Sequence, residues 1–528
     1  MAAVSGKSPS GKSPAGRSVG RAPGGLWLWL ALGLVVAGLS CYRQAFLPRA
    51  VPEGVAVPKV SPWLLPGHPA IHYNDFKHIW LGSLVLRAGK SPYDKRELDL
   101  ANQQFIRQEI NPYVYPPFTG LVLSPLTWEQ DFLQGARRWT ALQFLLLLGS
   151  LALIFRTLAF DRPLVALAVG LWLLAFSFPL SRTITAGQLN VALLFIYCLI
   201  AWLLKTGRHT QVGCWIAFGA WFKMAPGILL IQVLLRRNWR AAAGAVVFGI
   251  GILAVTLAWV GPQVHLDYLP LVRQMGYGRS TWADAGMRFY VDPANQSFNA
   301  LFHHLLADNG VTEPWVKWAN GARAANGLTW LASLSMLGLV GWLSVRERPA
   351  RAGKSEDGER GDGDGAASQE PAADGEMAGE GRPPDEQGPE VGGRAGRGGR
   401  GDRELLILSL WIFLSLLLPS LCWDHYLIIL FLPQMILLSA VMGRFVTAAP
   451  LRAGFVAPLC VWLAGSILLG WMFPFFDPRY LTGAGILLLS HKLFGALVLF
   501  GLNVWLVWPP RDGARAGSSV KLKMLGTL

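Results

Sequence analysis

Lys223 stands in AWFKMAP (220–226), flanked by apolar residues and followed by a proline. An ammonium there is costly unless an anion meets it or its stem lets it snorkel to water. His425 lies in CWDHY (422–426), where an imidazole can donate to an anion, assist a proton transfer or cap a helix. Asp75 lies near the start of HYNDFKHIWLGSLVLRAGKSPYD (72–94), and a carboxylate near a helix start either moves a proton or caps free backbone N–H groups. Asp94, in Ser-Pro-Tyr-Asp, reads equally well as a turn or a cap. Arg182, Gln188 and Asn190 share the short turn SRTITAGQLN (181–190). Its two amides suit sugar hydroxyls or interhelical backbone. Asn295-Gln296-Ser297 matches the N-glycosylation acceptor pattern. His303-His304 invites a metal, but adjacent helical side chains point about 100° apart and cannot easily chelate together. No metal site is expected.

These residues need elements to hold them, and composition says what kind. Soluble globular chains carry about 25% charged residues. This chain of 528 residues carries 15%, is 52% hydrophobic and contains 23 Trp and 26 Phe. Its apolar residues come in runs near the ~18–20 residues that cross a bilayer. A soluble enzyme, a secreted disulfide scaffold and a disordered protein are excluded. The reading is an all-α polytopic membrane protein, because backbone polar groups in lipid must be satisfied within helices. Five cysteines (Cys41, Cys198, Cys214, Cys422, Cys460) form no CxxC pair. Neither a disulfide framework nor a zinc site is indicated.

The net charge of +15 divides unevenly, with −4 across residues 346–403 and +19 elsewhere. Such a basic excess marks cytoplasmic loops, and no basic stripe with interleaved aromatics points to nucleic acid. Helices are expected near 26–47, 139–160, 163–181, 189–204, 241–260, 326–345, 404–421, 426–443, 453–474 and 484–507. The stretch 211–236 decides the topology. As one span it would place Lys223 and Pro226 mid-membrane; as a hairpin turning at Lys223–Pro226 it returns the basic residues to one side. The hairpin gives about twelve segments with both termini cytoplasmic in a plasma (inner) membrane. Residues 1–25 form a disordered basic N-terminus, 26–345 a membrane core with outer loops 48–138 and 261–325, 346–403 a disordered cytoplasmic linker with 15 Gly, 404–507 the C-terminal membrane helices and 508–528 a cytoplasmic tail. Fifteen of the 18 acidic residues outside the linker then share the outer face with Lys223 and CWDHY. From Asp75 a short amphipathic helix is expected to rest in the interface, with Phe76, Ile79, Trp80 and Leu84 on one face.

Several pieces occur in order: Asp75-Phe76, then GKSPYD (89–94), YPPF (115–118) with a following Pro-Leu, GQLN (187–190), AWFKMAP, NQSFNALFHHLL (295–306) and WDHY (423–426). Their sequence resembles glycosyltransferase family 87, membrane mannosyltransferases of the GT-C fold class that use polyprenyl-phosphate mannose. The resemblance implies an inverting enzyme that moves a hexose, mannose before others, from a polyprenyl-phosphate sugar to a lipid or cell-envelope glycan acceptor. The site would face away from the cytoplasm, with no cofactor and no metal. It implies Asp75 as the base that takes the acceptor proton, with Asp94 the runner-up; His425 is the second catalytic candidate, set to meet the donor phosphate or to assist the proton transfer. Lys223 and Arg182 would meet the donor phosphate. Gln188, Asn190, Asn295, Gln296, Tyr115 and Asp94 are the sugar or acceptor-binding candidates. Many relatives carry His-His where this chain has His425-Tyr426. A transporter or lipid flippase is the rival reading, yet no second copy of Asp-Phe or Lys-x-x-Pro occurs in a matching half.

Overall fold

A computed structural model describes residues 73–281, 283, 286–346, 395–446 and 453–508. The expected helix at 26–47, the basic N-terminus, residues 347–394 of the expected linker and the C-terminal tail lie outside those residues. Among the described residues all regular structure is helical, and one isolated bridge pairs Asn295 with Trp423. The first loop folds into α1 (Asn74–Arg87), α2 (Lys95–Phe105) and α3 (Pro117–Leu123). Then come α4 (Phe132–Thr157), α5 (Pro163–Ala175), α6 (Phe178–Ala186), α7 (Asn190–Lys205), α8 (His209–Phe222), α9 (Leu229–Leu235) and α10 (Trp239–Gln274). The rest are α11 (Phe298–Leu306), α12 (Gly321–Arg346), α13 (Ala395–Leu417), α14 (Phe431–Val446), α15 (Ala453–Gly470), α16 (Gly485–Leu489) and α17 (His491–Val507).

Among the described residues, four helical stretches are long and apolar enough to cross a membrane: Phe132–Thr157, Trp239–Gln274, Gly321–Arg346 and Asp424–Gly443. The first three bury only 33%, 28% and 33% of their apolar windows, so they present side chains outward; the fourth buries 72% and runs through the centre. The bent pair α5–α6 adds a further candidate span.

The first-loop helix differs from its expected place. Phe76, Ile79 and Trp80 are buried, but so are Lys77, His78 and Ser83, and Leu84 is only half-buried. A helix buried around most of its circumference is packed inside protein, not laid in an interface. Close approach explains this: a Cβ at Gly82 would fall 2.1 Å from the Tyr113 ring, and the Trp80 indole donates to the Leu126 carbonyl at 3.0 Å.

The expected single helix 163–181 is two helices, bent by 56°. Ser177 caps α6 by accepting from the Leu180 amide at 3.1 Å, and Pro179 in its first turn lacks the N–H that would continue α5. The chain also reverses within 211–236. The Asn238 amide nitrogen reaches His209 Nδ1 at 2.9 Å, so the two ends of the α8–α9 unit meet. A Cβ at Gly219 would touch Pro226 at 3.0 Å, far closer than seven residues allow along one continuous helix. Further along, α10 kinks at Gly261 (φ 78°) and continues to Gln274, where a loop was expected from 261. At the other edge of the linker, residues 395–403, expected to be disordered, belong to α13, and Asp402 pairs with Lys205 at 3.5 Å. The expected helix 484–507 breaks at Ser490 into α16 and α17.

Candidate active site

A cavity of about 940 Å³ opens where the N-terminus of α1, the end of α6, the α8–α9 turn and the 419–426 segment converge. Asp75, Tyr115, Arg182, Gln188, Asn190, Lys223 and His425 all line it. Sequence positions separated by up to 350 residues are thus brought to one space, and the bend at Ser177 is what turns Arg182 towards it.

Asp75 occupies the first turn of α1, but Tyr73 holds the capping position and no side chain caps the helix. The carboxylate therefore keeps its oxygens for the cavity. Its Oδ2 lies 3.8 Å from Nε2 of His425. The other His425 nitrogen, Nδ1, lies 3.3 Å from Asp424 Oδ1, and Asp424 Oδ2 accepts from Arg182 at 3.1 Å. The result is a chain Arg182–Asp424–His425–Asp75 running into the cavity wall. His425 Nε2 is buried and has no hydrogen-bond partner. A separation of 3.8 Å is too long for a direct hydrogen bond, so a hydroxyl lying to one side of the pair can reach both atoms.

Lys223 follows α8 in extended backbone (φ −160°, ψ 108°), tied by its amide to the Gly219 carbonyl at 2.7 Å. Its ammonium donates to Asn190 Oδ1 at 2.9 Å and lies 3.7 Å from the centre of the Tyr426 ring. Both partners are neutral, and among the described residues no carboxylate forms an ion pair with it. The lysine lines the cavity with no close ion-pair partner among the described residues, Asp75 acting on it only from a distance, which leaves its ammonium open to an anionic ligand.

Tyr115 donates to Gln188 Oε1 at 3.0 Å, and Asn190 Nδ2 donates to the His425 carbonyl at 3.3 Å. These amides line the cavity while also holding the wall together. Three expected ligand residues lie elsewhere. Asp94 is exposed and caps α2, accepting from the Arg96 amide at 2.9 Å. Asn295 is buried, accepting from Cys422 N–H at 2.9 Å and donating to the Ser420 carbonyl at 3.1 Å. Gln296 donates to the Leu489 carbonyl at 2.7 Å and accepts from the Leu493 amide at 3.3 Å. Their amides are spent on backbone; Asn295 through its side chain, and Gln296 through its own N–H to the Cys422 carbonyl, hold the segment that carries His425. His303 and His304 diverge, to Asn326 Oδ1 and the Val291 carbonyl, each at 3.0 Å.

Asp424 and, among the wall residues, His78 and Asp292 were not singled out from the sequence. His78 is buried, stacks on Tyr115 with ring centres 5.9 Å apart, and leaves Nδ1 without a partner. Its spacing of three from Asp75 on one helix was the available signal. Burial holds its imidazole down to about 4, against the pull of the nearby Asp75, so the ring is neutral at physiological pH. Asp292 also lines the cavity; burial pushes its carboxyl up to about 6, opposed by the Ala294 N–H and by Arg182.

A family model matches residues 113–355. The match is to glycosyltransferase family 87. The family 87 region contains Tyr115, Arg182, Gln188, Asn190 and Lys223, while Asp75 precedes it and His425 follows it. Two curated relatives point the same way. A polyprenol-phosphate-mannose-dependent alpha-(1-2)-phosphatidylinositol pentamannoside mannosyltransferase of Mycobacterium tuberculosis (strain CDC 1551 / Oshkosh) is 25% identical over 246 residues, 46% of this chain and 51% of the relative. A polyprenol-phosphate-mannose-dependent alpha-(1-2)-phosphatidylinositol mannoside mannosyltransferase of strain ATCC 25618 / H37Rv is 29% identical over 163 residues, 28% of this chain and 38% of the relative. The matched region thus spans about half or less of each relative's length. The resemblance to family 87 carried by the sequence motifs is supported by these matches.

Proposed function

We propose that this protein is an integral membrane mannosyltransferase that takes mannose from a polyprenyl-phosphate donor and gives it to a glycolipid or other lipid-linked acceptor. The observation that carries the reading is the meeting of a free carboxylate, Asp75, and a cation with only neutral partners, Lys223, on the wall of one cavity. Transfer from a phosphate-linked sugar needs both kinds of group, one for the acceptor proton and one for the departing phosphate.

In this mechanism the acceptor hydroxyl oxygen forms a bond to the anomeric carbon as the bond from that carbon to the phosphate oxygen breaks. The hydroxyl proton passes to Asp75, and the electron pair of the broken bond leaves on the lipid phosphate. Lys223 meets that growing charge, with Arg182 behind it. Asp424 fixes His425, which steadies Asp75 and shares the proton. Attack opposite the leaving group turns a β-linked donor into an α-mannoside. About twelve membrane segments, a GT-C arrangement, cytoplasmic termini and an outward-facing site complete the proposal.

Purified full-length protein, radiolabelled polyprenyl-phosphate mannose and a panel of phosphatidylinositol mannosides and other lipid acceptors test it. Label should move to a lipid acceptor, and Asp75→Asn should stop the transfer while eluting as folded protein. Transfer undiminished in that variant would remove Asp75 from the mechanism; absence of transfer to every acceptor would count against the activity.

A further inference from the structure

The same four helices that reach the catalytic cavity at one end close a second pocket at the other. It encloses about 210 Å³ between α7, α8, α9 and α13. His209, Arg236, Asn238 and Glu404 stand at its mouth, and Ile216 and Leu229, further along their helices, line its floor. Apart from the Asn238–His209 bond, its polar groups do not satisfy one another. Arg236 Nη1 is buried without a hydrogen-bond partner. Gln232 is 5% exposed, lines the pocket and makes no side-chain hydrogen bond among the described residues. Arg236 and Glu404 both border the pocket, yet no ion pair within 4.0 Å joins them among the described residues. The Asn238 amide nitrogen lies 2.9 Å from His209 Nδ1, which leaves Nε2 as the ring atom that can donate elsewhere.

Unpaired buried polar groups in a native structure call for a ligand or ordered water. The charge pattern selects among ligands. A simple anion would bring its charge towards Glu404, and a simple cation would bring its charge towards Arg236. A group carrying both signs, continued by an apolar chain, matches the mouth and the floor together. Pockets between membrane helices that offer such donors are sites for lipid head groups.

We propose that this pocket binds a membrane phospholipid with a phosphoethanolamine head. Its phosphate sits on Arg236 and His209, its ammonium on Glu404, and part of an acyl chain on the Ile216–Leu229 floor. The lipid joins the open end of the α8–α9 hairpin, whose tip carries Lys223. This inference stands apart from the catalytic reading, since binding can be read without any transfer assay.

Native mass spectrometry of the full-length protein, offered phosphatidylethanolamine and phosphatidylglycerol at equal concentration, tests it. One phosphatidylethanolamine per chain should be retained at least about tenfold over phosphatidylglycerol. Arg236→Gln and Glu404→Gln should each reduce retention about tenfold, while Arg237→Gln, at an exposed neighbour outside the pocket, should leave it unchanged. Equal retention of phosphatidylglycerol, or retention unaffected by Glu404→Gln, overturns the proposal. So does soluble phosphoethanolamine that competes as well as the lipid, which would place the ligand in solution. Should Arg236→Gln fail to fold, the two-lipid competition and Glu404→Gln still decide.

Discussion

Nε2 of His425 faces Oδ2 of Asp75 across 3.8 Å, while its other nitrogen is held by Asp424. The arrangement aims an imidazole at a carboxylate that caps nothing, and in the proposed mechanism the two residues act in one step. Asp75→Asn is expected to lower transfer by at least about 10²-fold, within the range for loss of a general base. His425→Phe should fall in the same direction, and the double variant should fall little further than Asp75→Asn alone. Strict multiplication of the two losses would show that the residues act separately.

Lys223 should be a residue of function more than of stability. Its ammonium is met only by an amide oxygen and an aromatic face. Lys223→Met is expected to cut kcat by about 10²–10³ through loss of charge stabilisation at the leaving phosphate. Its thermal midpoint in detergent should hold or rise, because a half-buried charge with no close ion-pair partner has been removed. A falling midpoint with kcat unchanged would return the lysine to a structural role.

His78 gives a pH signature. Burial holds its pKa down to about 4, below the ordinary 6.5 of an unfolded chain. Between those values the unfolded state takes up a proton that the folded state refuses, so stability falls as pH falls through that window. Wild-type protein should therefore lose more thermal stability between pH 7 and pH 4.5 than His78→Phe does. Parallel pH dependence of the two midpoints would contradict the buried neutral ring.

Asn295 should act through the segment it holds. Asn295→Ala removes the acceptor for Cys422 N–H and a donor to Ser420. The Cys422 N–H left unpaired costs about 1–3 kcal/mol, while the Ser420 carbonyl still accepts from Ser297 Oγ. The expected outcome is a lowered midpoint and a lowered kcat, with donor KM little changed. A selective rise in KM would instead mark a sugar-binding amide.

Glycine contacts fix the hairpin against α10. A Cβ at Gly213 would lie 1.8 Å from the Ala241 carbonyl oxygen, a backbone atom that cannot swing aside. Gly213→Val is expected to abolish the folded monodisperse peak, whereas Gly251→Val, where nothing lies within 4 Å, should not. Size-exclusion chromatography of fluorescent fusions distinguishes the two.

The membrane class, the helical fold, most helix positions and the family resemblance were already legible in the chain. They follow from local quantities: the length of apolar runs, prolines and glycines at breaks, and short motifs in order. Even the reversal at Lys223 could be argued from where the arginines would otherwise fall. Other features depended on neighbours distant in sequence. Asn295 and Gln296 have the same amides as Gln188 and Asn190; only the packing against Cys422 and Leu489 spends the first pair on backbone and leaves the second pair on the cavity wall. His78 reads as one polar residue among apolar ones until Tyr115 stacks on it.

By itself, the order of residues determined what kinds of helix form and which side chains have the chemistry for sugar transfer, because propensity, hydropathy and reactivity belong to short stretches of chain. Tertiary structure alone decided which of those side chains keep an unused atom pointing into shared space. That depends on whether a partner from a remote segment has already taken the hydrogen bond, and no local pattern records it.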